Sequence, residues 1–370
     1  MSEKKQRLLS LDILRGITVA GMILVNNGHG ESFEMLRHSK WNGMTPCDLV
    51  FPFFLFIMGV STYLSLSKSG FRPSAPVIRK ILRRTVLLFA IGLAINWFDH
   101  AVEGDLLCFD HLRIWAVLQR IALCYGIVSI YALLVNHKWV IPTIIALLVV
   151  YSAILLWGNG YAEDASNILA RADLSLFGYD HLYHKSAVDP EGLLGTISSV
   201  AHVLIGFYCG SLIKQRQSVK DKVLAIFFLG AVIALGGYLL SYGLPLNKRI
   251  WSPSYVLVTC GMAASLLALL MTVIDIRGKK GWTTFFQVFG VNPLFLYVAS
   301  EFFAILFGRL GISDAVYNAI HSVISHPQTA SLCYAVTFVL FNFILGYYLY
   351  RRRIYIKLST ASQGKSPVPP

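Results

Sequence analysis

The sequence predicts an all-α polytopic membrane protein with about ten transmembrane helices in one bundle. Its composition and the length of its apolar runs support this prediction. Of its 370 residues, 56% are hydrophobic and 14% are charged, whereas a soluble domain has about 45–50% apolar and about 25% charged residues. A helix needs about 20 apolar residues to cross a bilayer, and ten runs approach that length. Because these runs are continuous, they exclude a membrane β-barrel, whose strands would alternate apolar and polar residues.

The ten predicted spans leave no room for a separate soluble domain. They cover residues 9–27, 46–67, 79–98, 113–135, 139–157, 193–213, 222–242, 253–274, 283–307 and 329–350. We therefore predict one transmembrane domain over 1–358 and a disordered tail over 359–370, where polar residues and prolines replace the apolar runs. No small-residue cleavage site follows the first span, so we expect that span to be retained.

The formal net charge of +13 could indicate a nucleic-acid-binding protein, but the positions of the charges exclude nucleic acid as a partner. One set of lysines and arginines falls in alternate loops, and with ten spans every member of this set lies on the same side as the N-terminus: 4–7, 68–84, 138, 214–222, 277–280 and 351–357. Under the positive-inside rule that side is the cytoplasm, so both termini are predicted to be cytoplasmic. The opposite loops are acidic or mixed, and Lys248-Arg249 is their one adjacent basic pair within this scheme.

A polar block lies between the first two spans, and its members are Asn26, His38, Trp41, Asn42, Thr45 and Asp48. Polar groups persist near hydrocarbon when they have partners or a function. His38 is suited to act as a base or a nucleophile near neutral pH, although an ordinary loop histidine is the alternative. Asp48 favours function, because a carboxylate beside a histidine fixes its tautomer. Thr45 is predicted to cap the helix that begins with Pro46.

Two arginines begin the fourth span. Arg113 and Arg120 are two helical turns apart, so we expect them to share one face and to point into the bundle or an aqueous cavity. The sequence leaves two roles open. One is structural pairing with Asp48 or Glu301, and the other is binding of an anionic or hydroxylated ligand.

Other polar residues occur inside the apolar runs. Pro293 is expected to kink or break the ninth span after Asn292, and broken helices often line cavities. Glu301 follows in the same span and is either a buried partner or a functional group. His202, in the sixth span, is expected to be a buried partner.

The cytoplasmic half of the bundle also contains candidate residues. Asp12 and Arg15 have the spacing of a helical ion pair. Arg83 and Arg84 reach deeper into the third span than the charge rule requires, which favours a ligand that carries phosphate.

Cysteines and loop histidines give weaker signals. Cys47 and Cys108 fall near one face, so a disulfide and two free thiols are both open. His181 and His184 lack a third ligand nearby in the sequence, so no metal site is predicted.

Several of these residues belong to motifs with a family resemblance. The motifs are Ser10–Gly16, His38–Pro52, Arg113-Ile114 with Leu118–Arg120, Trp251–Tyr255, and Asn292-Pro293. Together they resemble the heparan-α-glucosaminide N-acetyltransferase family and its bacterial relatives in N-acetylglucosamine gene clusters. The resemblance covers nearly the whole membrane core, and the stretch from His38 to Asp48 is its most specific part.

The resemblance implies an acyltransferase in a bacterial inner membrane. Acetyl-CoA, the co-substrate, would donate from the cytoplasm, and the amine of a glucosamine-type sugar would accept on the far side. The resemblance begins at the first span, so a small amino sugar or cell-wall fragment is expected rather than polymeric heparan. An amino-sugar permease is the rival class, and the oligomeric state is left open, with a homodimer as one alternative.

The same resemblance assigns residues. The family's catalytic histidine falls on His38 and its aspartate on Asp48. Its asparagine falls on Asn26, with Asn27 as the alternative. His38 would act as a base or as an acetyl carrier. Arg15, Arg83 and Arg84 would hold the nucleotide phosphates. The residues expected to bind the sugar are Asn26, Trp41, Asn42, Arg113, Arg120, Trp251, Asn292 and Glu301.

Overall fold

The fold is known from a computed structural model that describes residues 8–184, 186–356 and 358. Within these residues the chain forms helices and no strands, which confirms the predicted all-α class. The helices are α1 (Leu9–Asn26), α2 (Val50–Leu66), α3 (Ala75–Ala101), α4 (Val117–Leu134), α5 (Val140–Trp157), α6 (Ile168–Phe177), α7 (Gly195–Gln215), α8 (Val219–Leu240), α9 (Pro253–Leu270), α10 (Thr283–Val291), α11 (Pro293–Arg309), α12 (Ile312–Val323) and α13 (Pro327–Arg351).

Nine helices in the described part of the chain are long and apolar enough to cross a membrane, and α10 with α11 gives a tenth if that pair counts as one span. The prediction of about ten spans is therefore confirmed. The short helices α6 and α12 lie between spans. The basic residues Lys4, Lys5, Arg7 and Lys357 and the predicted tail 359–370 lie outside the described residues.

The break predicted in the ninth span lies between α10 and α11, which bend by 85°. Asn292 separates them with non-helical backbone angles, and Pro293 begins α11, because a proline needs no hydrogen bond at a first helical position. α11 begins beside the C-terminal segment, where the Asn292 side chain bonds to Ile354. It ends at Arg309, which pairs with Glu103. Thus α11, without α10, extends from one end of the bundle to the other.

The most buried helix of the bundle is α7, which packs closely along α2. Glycines make this approach possible. A Cβ at Gly206 would collide with the backbone of Phe56, and a Cβ at Gly59 would collide with the backbone of Val203. Because α2 starts directly after Asp48, this close packing fixes the position of that carboxylate relative to the bundle.

Loops from distant parts of the chain meet at each end of the bundle. At one end Gly43 N donates to Leu246 O at 2.7 Å, and Trp41 Nε1 donates to Tyr161 O at 2.8 Å. We call this the His38 end; its loops are 27–49, 102–116, 158–194, 241–252 and 310–326. The opposite end has the loops 67–74, 135–139, 216–218 and 277–282 and the segment after Arg351, and it includes the described basic clusters.

Candidate active site

His38 and Asp48 are in direct contact at the His38 end. The His38 Nδ1 atom lies 2.7 Å from Asp48 Oδ1. Asp48 is completely buried, whereas 48% of the His38 side chain is exposed. A carboxylate without a proton only accepts hydrogen bonds, so the hydrogen between these atoms belongs to Nδ1. The lone pair of His38 is then on Nε2.

The local sequence explains the position of Asp48. Thr45 precedes a 3₁₀ turn over Pro46–Leu49 that leads into α2, as the cap and the proline predicted. Asp48 Oδ2 accepts hydrogen bonds from Ser39 N at 3.1 Å, Thr45 N at 3.0 Å and Thr45 Oγ1 at 3.1 Å. A buried carboxylate is stable when such donors replace water. The turn therefore holds Asp48 as an ionised, oriented group.

Lys248 is the third member of this cluster, and sequence analysis missed it. Its Nζ atom lies 2.9 Å from His38 Nδ1 and 3.2 Å from His38 Nε2. It also lies 3.5 Å from Asp48 Oδ1, and 13% of its side chain is exposed. Because Nδ1 donates its hydrogen to Asp48, Nε2 is the ring atom that accepts from Lys248. The one sequence feature that could have indicated Lys248 was the basic pair Lys248-Arg249, which stands out among loops that are mostly acidic or mixed.

Cys47 also lies beside the imidazole, with its Sγ 3.2 Å from His38 Nδ1. All six cysteines are free thiols, so the structure contains no Cys47–Cys108 disulfide. The cluster of His38, Asp48, Lys248 and Cys47 combines a nitrogen base, a carboxylate, an ammonium group and a buried thiol.

Three further predicted residues line the same end. The indole of Trp41 donates to Tyr161 O, and the amide oxygen of Asn42 accepts from Asn247 at 3.2 Å. Trp251 is buried and has φ +53°, a left-handed conformation that is uncommon for a residue with a Cβ. Such strain is often found at functional sites.

The structure corrects the interpretation of the two arginines. α4 begins at Val117, so Arg113 precedes it, and the two residues do not share a helical face. Arg113 pairs with neither Asp48 nor Glu301 among its recorded ion pairs. It bonds instead to Asp189 Oδ1 and Glu191 Oε2, each at 2.9 Å. These long-range partners pull its backbone out of the helix.

Arg120 contacts the same segment as Arg113. Its Nη2 donates to Gly192 O at 2.9 Å, and its guanidinium lies 5.2 Å from the Trp251 ring centre. The side chain is 1% exposed, and its Nε and Nη1 have no hydrogen-bond partner within the described residues. A buried cation with unused donors is costly, so a polar guest or water is favoured beside it.

The remaining predicted sugar-binding residues are separate from His38. Asn26 donates to Glu301 at 3.4 Å, and Asn27 instead bonds back to its own helix at Ile23. Asn292 lies at the opposite end of the bundle. Its two amide atoms bond to Ile354 O and to the backbone N of residue 356, at 2.8 and 3.0 Å. Sequence analysis grouped these residues by motif, and the fold does not bring Asn292 to the cluster.

The predicted phosphate-binding residues lie in the opposite half of the bundle. Arg15 pairs with Asp12 at 2.9 Å, which confirms the helical ion pair, and donates to Ser61 Oγ at 2.7 Å. The Arg84 guanidinium lies 4.5 Å from the Tyr125 ring centre. The neighbouring Arg83 side chain is exposed.

His202 is the buried partner that the sequence predicted. It is completely buried in α7, and its Nε2 bonds to Pro52 O at 2.8 Å. That bond joins α7 to the first turn of α2, so His202 supports the helix that follows Asp48.

Asp173, on α6, is a buried carboxylate below the 189–192 segment. Its Oδ1 accepts from Leu193 N at 3.0 Å, but its Oδ2 has no partner within the described residues. Burial raises the pKa of Asp173 from its usual 3.8 to about 6. The fold therefore tolerates this group best in its protonated form.

Taken together, the fold and the site define a polytopic membrane protein with a histidine–aspartate pair beside a lysine at one end of a helical bundle. The arrangement fits proton or acyl transfer, because an oriented imidazole with its lone pair on Nε2 serves either step.

Comparison with known proteins places the chain in a family. Residues 7–243 match the family model for "Heparan-alpha-glucosaminide N-acetyltransferase, catalytic", and the chain belongs to this family. It is 30% identical to the human heparan-alpha-glucosaminide N-acetyltransferase over 97% of this chain and 61% of that protein. It is also 30% identical to the mouse protein of the same name, over 80% of this chain and 53% of that protein. The chain thus spans between half and two thirds of the length of these relatives.

The raised pKa of Asp173 generates a prediction about stability and pH. A raised folded-state pKa stabilises the fold fully below about pH 4, and that stability is lost as the pH rises through about 6. The Asp173→Asn variant keeps the acceptor for Leu193 N without the charge. Its stability should exceed that of the natural chain by the order of 2 kcal/mol at pH 7, and the difference should vanish near pH 4. Thermal unfolding in detergent across this range measures it.

The matched control is Asp180→Asn, which removes an exposed carboxylate from the same loop and should leave the pH dependence unchanged. If Asp173→Asn followed the natural chain at every pH, Asp173 would not be the group responsible.

Proposed function

We propose that this protein is a transmembrane acetyltransferase. It moves an acetyl group from acetyl-CoA to the amine of a glucosamine-type sugar. The single observation that carries the proposal is the 2.7 Å contact between His38 Nδ1 and the buried Asp48 carboxylate, which leaves Nε2 as the reactive atom of a half-exposed imidazole. Membership in the acetyltransferase family supports this reaction class.

Two routes use the same atom. In the first, Nε2 takes a proton from the sugar amine as that amine attacks the thioester carbonyl, and the carbon–sulfur bond breaks to release CoA. In the second, Nε2 attacks the carbonyl, CoA leaves, and the sugar amine then takes the acetyl group from the imidazole and loses a proton. Asp48 assists both routes, because it stabilises the positive charge that develops on the ring.

Lys248 supplies the charge that either route needs. When a nucleophile adds to the thioester, negative charge develops on the carbonyl oxygen and then on the CoA sulfur. An ammonium group held near Nε2 stabilises that charge, and preorganised donors of this kind are among the largest contributions to catalysis.

The charge asymmetry supports the proposed direction of transfer. The basic clusters lie at the opposite end, which is therefore the cytoplasmic end under the positive-inside rule, in the inner membrane of a bacterium with both termini inside. Acetyl-CoA would enter there, with its phosphates near Arg15, Arg83 and Arg84. Arg84 lies about 13 Å along the axis of α3 from its first residue. The pantetheine arm would cover the remaining depth to His38.

The acceptor would bind at the His38 end. Ligand sites combine aromatic walls with a few placed polar groups, and Trp41, Asn42 and Trp251 supply both near the cluster. Arg113 and Arg120 hold the 189–192 segment over the same end, and the unused Arg120 donors suit a sugar hydroxyl. Asn26 and Glu301 pair with each other and remain proposed contacts of the sugar. Asn292 lies at the opposite end of the bundle, so it is not proposed to bind the sugar.

A permease for amino sugars is the second candidate, and one observation favours it. α10 and α11 bend by 85° around the polar Asn292, and broken helices with polar residues commonly line transport pathways. An acetyltransferase consumes acetyl-CoA as the acetyl donor, whereas a permease moves the sugar without it.

The first experiment separates these functions. Purified protein in detergent, given acetyl-CoA and glucosamine, should release free CoA only when the amine is present, because the acceptor is needed for turnover. A thiol reagent measures CoA, and mass spectrometry identifies the acetylated sugar. Counterflow of labelled sugar into liposomes, with no CoA released in detergent, would instead identify a permease.

The His38 pair is tested in the same assay. His38→Ala should lower the rate by about 10²–10⁴ while acetyl-CoA binding and the unfolding temperature stay close to normal. Asp48→Asn should cost less, and the double variant should be little slower than His38→Ala, because the two residues act as one unit. The exposed His184 provides the control, and His184→Ala should be fully active. Nearly full activity of His38→Ala would refute the assignment.

Lys248 is tested by its charge. Lys248→Met should lower kcat by about 10²–10³, the typical effect of removing one stabilising donor, and Lys248→Arg should retain a larger part of kcat. The adjacent Arg249→Met is the control. An unchanged kcat in Lys248→Met would exclude this role.

The phosphate contacts are tested through KM. Replacing both Arg83 and Arg84 with Gln should raise the KM for acetyl-CoA at least tenfold and leave the KM for the sugar nearly unchanged. Charge-assisted contacts are worth roughly 1.5–3 kcal/mol each. The control removes the same charge one turn earlier, in Arg79→Gln with Lys80→Gln. Equal effects of the two double variants would mean that Arg83 and Arg84 act through general charge alone.

A further inference from the structure

We propose that His100, at the end of α3, and Asp105 and His111, in the loop that follows, bind a divalent transition metal of the zinc type at the His38 end. One ligand atom from each of the three residues lies within 4.8 Å of the others. The site is separate from the His38 cluster and does not depend on the proposed function. It also does not include His181 and His184, the pair of loop histidines considered in the sequence analysis.

The hydrogen bonds of His111 carry the argument. Its Nδ1 lies 2.7 Å from Asp110 Oδ1, and its Nε2 lies 2.9 Å from Asp105 Oδ2. A histidine that ligates a metal almost always donates its other N–H to a carboxylate, which fixes the tautomer. Asp110 holds that position for Nδ1. Nε2 and the Asp105 carboxylate oxygen then face each other across a position that a proton on Nε2 or a metal ion can occupy.

The second histidine lies beside the first. The His100 ring centre lies 5.1 Å from that of His111, with the planes nearly perpendicular. Within the described residues no group forms a hydrogen bond with either His100 ring nitrogen, so the ring is available as a ligand.

The backbone brings the ligands together through tight turns. Glu103 N and Asp105 N both donate to His100 O, at 3.0 and 3.1 Å, and His111 N donates to Cys108 O at 3.2 Å. Arg309 of α11 pairs with Glu103 and lies 3.8 Å from Asp99, which anchors the turn to the bundle. The ligands are therefore positioned before any metal binds.

The ligand set selects the class of metal. Zinc is commonly bound by imidazole nitrogens and carboxylate oxygens in a tetrahedral site, and a site with three protein ligands keeps its fourth position for water. The exposed fractions of 42% for His111 and 44% for Asp105 leave such a position open to solvent. Copper and nickel also suit imidazole, so the shared chemistry is that of a borderline divalent cation.

Binding would connect the end of α3 to the segment before α4. Arg113 follows His111 by two residues and holds Asp189 and Glu191. A metal at this position would therefore stabilise the loop that carries the anchor of the 189–192 segment.

The test uses the untagged full chain in detergent after treatment with a chelator. Equilibrium dialysis against Zn²⁺ should retain one metal ion per chain, and Co²⁺ should give the visible absorption of a tetrahedral site with nitrogen and oxygen ligands. The double variant His100→Ala with His111→Ala should lose this ion. His181→Ala with His184→Ala removes the same number of loop histidines and should keep it.

A conservative variant separates a specific loss of metal binding from a loss caused by misfolding. Asp110→Asn leaves all three ligands in place and should weaken Zn²⁺ binding about 10–100-fold, as expected for the partner of a ligating histidine. Added Zn²⁺ should also raise the unfolding temperature of the natural chain, because it binds the folded state. The proposal fails if the natural chain retains no stoichiometric metal, or if the His100 and His111 double variant retains as much as the control.

Discussion

The buried carboxylate of Asp48 is the constraint on which the site depends. An ionised group with no exposed surface needs a donor for each lone pair, and its donors come from two separate loops. Thr45 and Ser39 belong to the approach to α2, His38 begins the same loop, and Lys248 comes from the segment before α9. Satisfying one carboxylate therefore fixes two loops and the start of a helix. The backbone oxygen of Asp48 adds a further tie, since Tyr255 of α9 donates to it at 2.6 Å.

The bundle supports this arrangement through its two most closely packed helices. Gly59 and Gly206 let α2 and α7 approach at backbone distance, and His202 bonds across the same interface near the first turn of α2. These contacts place the end of α2 that follows Asp48 against the most buried helix of the protein. The candidate donor-binding arginines lie at the other half of the bundle, so the reacting group and the nucleotide would be held by different parts of one rigid frame. That separation is what transfer across a bilayer requires.

The sequence predicted those parts of the structure that local rules determine. Span number follows from hydrophobic length, and the break before Pro293 follows from the missing N–H of proline. His38 and Asp48 were predictable because ten residues of one motif connect them. Lys248 was not, because it lies 210 residues away from His38 and is brought there by the packing of the bundle. The prediction of the partners of Arg113 was wrong for the same reason. Asp189 is 76 residues distant, and the ion pair overrides the helical preference that the apolar pattern suggested for residue 113.

The contact between Lys248 and His38 has a consequence for how an acceptor enters the site. The side chain ends in a primary amine, the same functional group that a glucosamine-type acceptor would present, and it already occupies hydrogen-bonding distance from Nε2. The Lys248 amine therefore occupies a position that the amine of the proposed acceptor would also take. Entry of the sugar amine at Nε2 would break the hydrogen bond from the lysine to that atom, and the ammonium, still nearby, could then donate to the thioester oxygen. His38 Nε2 would then have an amine nitrogen beside it both in the empty site, from Lys248, and in the site with bound sugar, from the acceptor.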